Sequence, residues 1–319
     1  MVSVKRNKIN FSSNLLLDVL CLICPFVAYY RISKKKEYSV GAKIATCVAF
    51  TIFWAYAVTL ILFMFWAVCC SLKEGEAFYS DMVSMPDVWR FQNYVDAYEL
   101  IRYNDVGLIG MFIHSIWFTV GSSFLSILMH AVTGYIFAKY NFRGKEMAFK
   151  FILFTLAIPI VGSLPSMYKI VSTLDIHNSP LFLITYLGGF GSNFLIMYAY
   201  FKGIDKTYME AAEIDGASRF CIFFKIMMPL AVAPCFSLFL LTFIGQWNNY
   251  ETVMLFLDAL PTLSLGLYKF PSEAKHSGFL YYETIMMAGV LLASIPVVII
   301  VALFGDKIMS NVSMGGIKG

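Results

Sequence analysis

Long apolar runs, broken at intervals by short polar segments, govern the reading of this chain. Six runs are long enough to cross a bilayer, at about Ile44–Cys70, Leu108–Ala138, Phe151–Tyr168, Pro180–Phe201, Ile226–Tyr250 and Thr284–Phe304. A spanning helix needs roughly 18 or more predominantly apolar residues. None of these runs shows the dyad alternation of barrel strands, so they predict helices. A seventh apolar stretch, Leu15–Tyr30, is about 16 residues long and follows Lys5, Arg6 and Lys8. No small-x-small cleavage site follows it, so a secretory leader is a poor fit. It reads as a helix lying in the membrane interface, with an extra span as the alternative.

Basic residues orient the spans. Eight Lys and Arg fall in the first 43 residues, whereas the loop 71–105 holds three against seven acidic residues. Lys139, Arg143, Lys145 and Lys150 follow the second run, and Lys202, Lys206, Arg219 and Lys225 lie between the fourth and fifth. The expectation is an all-α polytopic membrane protein with both termini cytoplasmic. Residues 1–43 form a cytoplasmic or interfacial segment, and 44–319 form a six-helix transmembrane domain.

Composition agrees. The chain is 59% hydrophobic and 14% charged, against about 25% charged for a soluble domain, and its mean hydropathy is +0.72. The seven cysteines lie mostly inside apolar runs, and Cys21 and Cys24 have no second pair and no nearby His. They read as buried thiols, not as a metal or redox site.

The polar segment 202–228 carries the most information. Thr207-Tyr208-Met209-Glu210 fits a capping box, with the Thr207 hydroxyl as the expected cap. A short helix is predicted from there to Glu213 or Ile214. Asp215-Gly216 is a turn signal, because Gly accepts a positive φ. Ser218 can cap a second helix that carries Phe220, Phe223, Phe224, Ile226 and Met227 into the membrane, with Pro229 and Pro234 limiting its regularity. Ala211, Ala212 and Ala217 are small enough to admit a partner surface.

Glu210-Ala211-Ala212, then Asp215-Gly216-Ala217, then Ile226–Pro229 and Pro234, resembles the coupling loop of ABC importer permeases. The resemblance extends over roughly residues 42–319 and is to the carbohydrate importers' maltose-permease-like subunits, inner-membrane components of binding-protein-dependent transport. Ser71-Leu72-Lys73 and Pro86 with Asn93–Tyr98 are similar to that family's first outer loop. Tyr135–Lys139 with Phe142–Lys145, Pro159 with Pro165, Trp247–Tyr250, Thr262–Leu267 and Gly315–Gly319 are similar to later family segments. His114 stands where the family usually has Asn, and the N-terminal extension is longer than usual. The resemblance implies the ABC importer type I permease fold and a cytoplasmic coupling helix with Glu210, Ala211, Ala212, Asp215, Gly216, Ala217 and Phe220 at the ATPase.

It also implies partners: a second homologous permease, two ATPase subunits, an extracytoplasmic sugar-binding protein and membrane lipid, with no nucleic acid. The chain has no GxxxxGK[ST] phosphate loop, so the reading is of a non-enzyme. It holds no cofactor itself, and ATP and Mg are bound by the ATPase partners. The implied location is a bacterial inner membrane, and the implied cargo a sugar, more specifically an oligosaccharide.

Polar groups within the spans are candidates for the pathway, because burying them uncompensated is costly. Thr242, Gln246 and Asn249 share one helical face beside Trp247 and Asn248, and Ser192 and Asn193 lie on the fourth run. A flat ring with amides suits a sugar's C–H face and hydroxyls. Interhelical hydrogen bonding explains the same amides, and Trp247 and Tyr250 also suit an interfacial belt. The second run carries Ser115, Thr119, Ser122, Ser126, His130, Thr133 and Gly134 at three- and four-residue spacing, which reads as a helix-packing stripe. No Asp or Glu lies inside a run away from its ends, which disfavours a secondary carrier, and no charged ring or filter suggests a channel. An ABC permease for another solute, such as a glycerol phosphate, is the main alternative.

Overall fold

A computed structural model describes residues 39–158, 163–279 and 281–314. The N-terminal apolar stretch 15–30, Pro159 and the closing 315–319 lie outside the described residues. Two units make up the chain, one comprising the first 70 residues with Val83–Met85, the other Ser71–Met82 with Pro86 onward.

In the first unit, helix α1 (Val40–Ser71) contributes nearly all the described residues. Its apolar side chains are widely exposed, Ile52, Phe53, Ile61 and Phe63 among them, as expected of a surface that faces lipid rather than water.

The second unit begins with two short helices, α2 (Gly75–Ser80) and α3 (Gln92–Leu100), and a two-stranded ribbon, β1 (Arg102–Tyr103) with β2 (Val106–Gly107). The ribbon is antiparallel, with Arg102 opposite Gly107. Then follow α4 (Leu108–Lys139), α5 (Lys145–Ala157), α6 (Ser163–Thr173), a 3₁₀ helix (Pro180–Leu187) and α7 (Ser192–Gly203). The polar segment forms α8 (Thr207–Ile214) and α9 (Arg219–Ile222), leading through a π-helical turn (Phe223–Met227) and α10 (Met228–Leu230) into α11 (Val232–Trp247). Helices α12 (Tyr250–Phe256), α13 (Leu263–His276) and α14 (Tyr282–Met314) complete the unit.

The expectation of six continuous spans needs correction. Among the described residues, three helices are long and apolar enough to cross a membrane: Val40–Ser71, Leu108–Lys139 and Tyr282–Gly305. The fourth and fifth expected spans are bent pairs. Pro180–Leu187 and Ser192–Gly203 meet at 55°, and Arg219–Leu230 and Val232–Trp247 at 74°. The third, expected over Phe151–Tyr168, is divided between α5 and α6. Helix α5 ends with Ile158 extended, at φ −88° and ψ 121°. A residue preceding proline is sterically pushed out of the α region, and Pro159 follows Ile158.

The other breaks have equally local causes. At the first, Gly188-Gly189-Phe190-Gly191 brings the backbone against α4. A Cβ on Gly189 would sit 2.4 Å from Thr133 Cγ2, and the Thr133 hydroxyl donates to the Gly189 carbonyl at 2.6 Å. At the second, Pro234 has no N–H to offer the Leu230 carbonyl. The Tyr200 hydroxyl donates to that carbonyl instead, at 2.7 Å.

Helix α4 is the hub of the unit. Ser115, Thr119, Ser122, Ser123, His130 and Gly134 along it are buried, so most of its small-polar stripe is a packing face. Gly134 lets α7 approach closely: a Cβ there would lie 2.9 Å from both Met197 Cβ and the Tyr198 nitrogen. Ahead of α4, Asn93 ties the loops together, its amide donating to the Ser71 and Lys73 carbonyls at 2.8 Å each. The Ser71 and Tyr94 hydroxyls bond at 2.8 Å. Two segments some twenty residues apart in sequence thus meet.

Gly134→Leu should therefore force α4 and α7 apart. Overpacking of this kind costs about 1–3 kcal/mol, which thermal unfolding in detergent would report as a clear loss of stability. Gly245→Leu, where a Cβ meets nothing within 4 Å, is the control and should unfold like the parent.

Candidate functional site

The polar segment builds a short helix standing off the transmembrane body on two anchors. Met209 and Ala212 are buried in a cluster with Tyr135, Phe201, Ile222 and Phe223. Tyr135 of α4 packs on Phe201 and Phe223 with ring centroids 5.6 Å and 5.0 Å away. The positions between the anchors face away: Tyr208, Glu210, Ala211, Glu213 and Asp215 are exposed, and Ile214 is 86% exposed. Ala212 lies three positions after Met209, which places both on one helical face.

The ends of α8 are set by its own sequence. Its C-terminus is a Schellman motif, with the Gly216 N–H bonded to the Glu213 carbonyl at 3.1 Å and the Ala217 N–H to the Ala212 carbonyl at 2.9 Å. The motif needs a left-handed residue, and Gly216 supplies φ +76°. Ser218 then caps α9, its hydroxyl accepting from the Cys221 N–H at 3.3 Å. The Asp215-Gly216 turn and the Ser218 cap thus form as their residue types require.

Two expectations for this loop are corrected. Thr207 is the first helical residue, not the cap, and makes no capping box with Glu210. The Thr207 N–H is instead accepted by Asp205 Oδ1 at 3.0 Å. A carboxylate two residues upstream competes well for that donor, and the helix starts a residue early to meet it. The Thr207 N–H and hydroxyl hold the Asp205 carboxyl below its ordinary range. Ala212, expected to face a partner, is buried beneath the helix. Ala211 is the outward small residue, Ala217 is half-buried, and Phe220 is 78% exposed.

The in-membrane candidates divide into a joined set and two outliers. The Asn193 amide on α7 donates to Thr242 Oγ1 on α11 at 3.3 Å. One turn along α11, Gln246 Oε1 accepts from the Tyr186 hydroxyl at 3.2 Å and from the Asn249 amide at 3.0 Å. Asn249 also caps α12, its Oδ1 accepting from the Thr252 N–H at 3.1 Å. These half-buried groups make one polar seam that bonds α11 to both halves of the broken fourth span.

Trp247 departs from the expectation of an open recognition surface. It is 5% exposed, stacked on Phe243 at 5.8 Å, and its indole N–H donates to the Ala293 carbonyl at 3.0 Å. Asn248 turns to the surface, its amide spent on the Ile244 carbonyl of its own helix at 2.9 Å. Two members of the arrangement escape sequence reasoning. Tyr186 sits in an apolar run with nothing to single it out. Asp205 is a visible cap signal, overshadowed by the Thr207–Glu210 pattern.

A helical bundle whose spans break, with a short capped helix anchored by its inner face, defines a polytopic membrane subunit built to contact something beyond the bilayer. The chain belongs to the family described as the binding-protein-dependent transport system inner membrane component, which its residues 130–312 match. Both the loop and the seam lie within that stretch. It is thus the membrane subunit of an ABC transporter.

Similar proteins include the diacetylchitobiose uptake system permease protein NgcG of Streptomyces coelicolor, 26% identical over 82% of this chain and 85% of that protein. The arabinooligosaccharides transport system permease protein AraQ of Halalkalibacterium halodurans is 29% identical over 65% of this chain and 73% of its own. The fold matches a chain in the crystal structure of a bacterial ABC transporter involved in the import of the acidic polysaccharide alginate. That match has a TM-score of 0.70 and 21% identity, covering 85% of this chain and 99% of the other.

Gln246→Leu should strip the acceptor from both Tyr186 and Asn249. Leaving buried donors unpaired costs about 1–3 kcal/mol, so the purified protein should unfold at a lower temperature. Asn248→Ala, with an exposed amide bonded only within its helix, should change unfolding by less than about 0.5 kcal/mol.

The lowered carboxyl of Asp205 carries a pH consequence. A group whose folded value is depressed stabilises the fold above its unfolded value and loses that contribution as pH falls through the folded one. Amide protection at the start of α8, exchange measured relative to the intrinsic rate at each pH, should hold through neutral pH and fall only in the acid range. Asp205→Asn should abolish that dependence.

Proposed function

We propose that this chain is the permease subunit of an ATP-driven importer that carries a sugar, of the oligosaccharide class, into the cytoplasm. A second homologous permease would complete the pathway. Two ATPase subunits would bind the coupling helices, hydrolysing ATP with Mg in their own sites. An extracytoplasmic binding protein would deliver the sugar to the outer loops. Both termini are placed in the cytoplasm of a bacterial cell, following the Lys and Arg bias.

The observation that carries this reading is the geometry of α8. Met209 and Ala212 hold it to Tyr135 and Phe201, while Tyr208, Glu210, Ala211, Ile214, Asp215, Gly216 and Phe220 are left outward. A rigid helix with a fully presented outer face passes a partner's movement to the helices behind it. Push on α8 would reach α4 through Tyr135, and α11 through the π-helical turn. The breaks at Gly188–Gly191 and Ala231 are where the two bent spans would yield.

Sugar as the cargo is supported by relatives named for diacetylchitobiose and arabinooligosaccharide transport. The seam offers hydroxyls and amides of the kind sugars require. Asn193, Thr242, Gln246 and Asn249 are the proposed contacts. Trp247 and Asn248, one buried and the other bonded within its own helix, are left out.

The test is co-purification of the tagged chain in mild detergent, scored for a second permease, an ATPase subunit and ATP hydrolysis. A Cβ on Gly216 meets nothing within 4 Å, so substitutions there act through backbone conformation alone. A left-handed conformation costs an ordinary residue roughly 1–2 kcal/mol, and Asn less. Gly216→Val should therefore release the ATPase while the permease stays in the membrane, and Gly216→Asn should retain it. Recovery of the chain without any ATPase, in a detergent that preserves a known importer, would sink the proposal.

A further inference from the structure

At the inner end of α4 an apolar cleft of about 370 Å³ opens, lined by Val132, Tyr135, Ile136, Tyr140, Phe220, Phe223 and Phe224, with Arg219 at its rim. Its volume falls within the roughly 300–1,000 Å³ typical of ligand sites. Tyr135 and Phe223 close the floor, and Ile136, Phe220 and Phe224 are open to the outside. Arg219 stacks over the Tyr140 ring at 5.6 Å, and its guanidinium makes no ion pair or hydrogen bond among the described residues. Its five N–H donors are thus uncommitted.

We propose that this cleft binds one anionic phospholipid, with an acyl chain along Val132, Ile136 and Phe223 and the phosphate on Arg219. Three features select that occupant. The walls are hydrocarbon and aromatic, which suits an alkyl chain and offers little to a polar ligand. Among the described lining residues the only charged one is a guanidinium, whose planar fork matches a phosphate bidentately. The cleft also sits on the last turns of a helix long and apolar enough to span a bilayer, at the depth where acyl chains give way to headgroups. Stacking on Tyr140 holds Arg219 at the rim, so charge and hydrocarbon are presented at the separation a lipid has.

The site lies behind the coupling segment and shares only Phe220 with its outward face. Phe223 and Tyr135 pack on each other and on the cluster that anchors Met209 and Ala212. A bound chain would stiffen the support behind α8. The assignment rests on the proposed orientation only for the choice of leaflet, the cytoplasmic one.

The test uses the purified full chain, with whatever subunits accompany it, in vesicles of phosphatidylethanolamine with and without phosphatidylglycerol carrying a photoreactive acyl chain. Labelled peptides are mapped, and lipids that survive detergent extraction are counted by native mass spectrometry. Labelling should concentrate on residues 132–140 and 219–224. Arg219→Gln should reduce retained phosphatidylglycerol about tenfold, the order expected when a charge-assisted contact is lost. Arg219→Lys should restore part of it, and Lys225→Gln, whose cation lies outside the lining, should change nothing. Ile136→Trp, which fills the cleft from its open side, should lower retention with Arg219 intact.

Equal retention of neutral and anionic lipid, or labelling spread evenly over the spans, would overturn the proposal. So would cross-links from residues 132–140 to a partner subunit in place of lipid. The mapping on the parent chain does not depend on any variant folding. It is also read from this subunit alone, so it would stand if the ATPase failed to co-purify.

Discussion

A membrane cannot hydrate the backbone groups that a broken helix releases, and this fold answers that constraint with side-chain donors placed at the breaks. An unsatisfied carbonyl in hydrocarbon costs several kcal/mol. The Gly188–Gly191 break is covered by the Thr133 hydroxyl on Gly189. The carbonyl that Pro234 leaves at Leu230 is covered by Tyr200. Where α7 ends, the Lys139 ammonium donates to the Ile204 carbonyl. In the unbroken α14, Trp247 donates to the Ala293 carbonyl, next to the Leu292 carbonyl that Pro296 leaves without an N–H. Two of these four donors belong to α4 and one to α7, which explains why those two helices pack through Gly134 at backbone distance.

The same helix, α4, links the membrane interior to the segment beyond it. Thr133 holds the break in the fourth span, Tyr135 holds Met209 of α8, and Lys139 holds the chain entering the loop, all within two turns. A displacement of α8 is thus resisted by the helix that fixes the break. The interior polar bonds have a related effect. Asn193–Thr242 and Tyr186–Gln246 join α11 to the two sides of that break, so the fourth and fifth spans are positioned together.

Much of this was legible in the residues. Long apolar runs announced the helices, and the loop's turn and second cap followed from Gly216, which accepts a positive φ, and Ser218, one of the preferred N-cap types. The small-polar spacing on α4 marked a packing face, and burial confirms it. What escaped has physical causes. Periodicity reports apolar length and not continuity, so the bend at 188–191 did not show, although Gly188-Gly189-Phe190-Gly191 was the signal; at 231, Pro229 and Pro234 marked a loss of regularity but not a bend of 74°. Thr207 fitted a capping box, but Asp205, a stronger acceptor, won the N–H. Trp247 beside two asparagines looked like a recognition platform. Only the tertiary packing shows the indole turned inward to a carbonyl, and no spacing rule predicts which face of a buried helix a ring will choose.

The exposed face of the coupling segment also bears on how a partner would be held. Ile214 and Phe220 flank the Gly216 turn at 86% and 78% exposure, large apolar side chains at a position the charge bias places in water. Covering each would contribute about 1.5–3 kcal/mol. Contacts of exposed carboxylates such as Glu210, Glu213 and Asp215 contribute typically 0–1 kcal/mol apiece. In the proposed complex, apolar burial at the two flanks therefore supplies most of the affinity, and the acidic groups set approach and register. Such a contact transmits force best when the turn between the flanks is rigid. The Schellman bonds of Gly216 and Ala217 provide that rigidity without placing any side chain in the way of the partner.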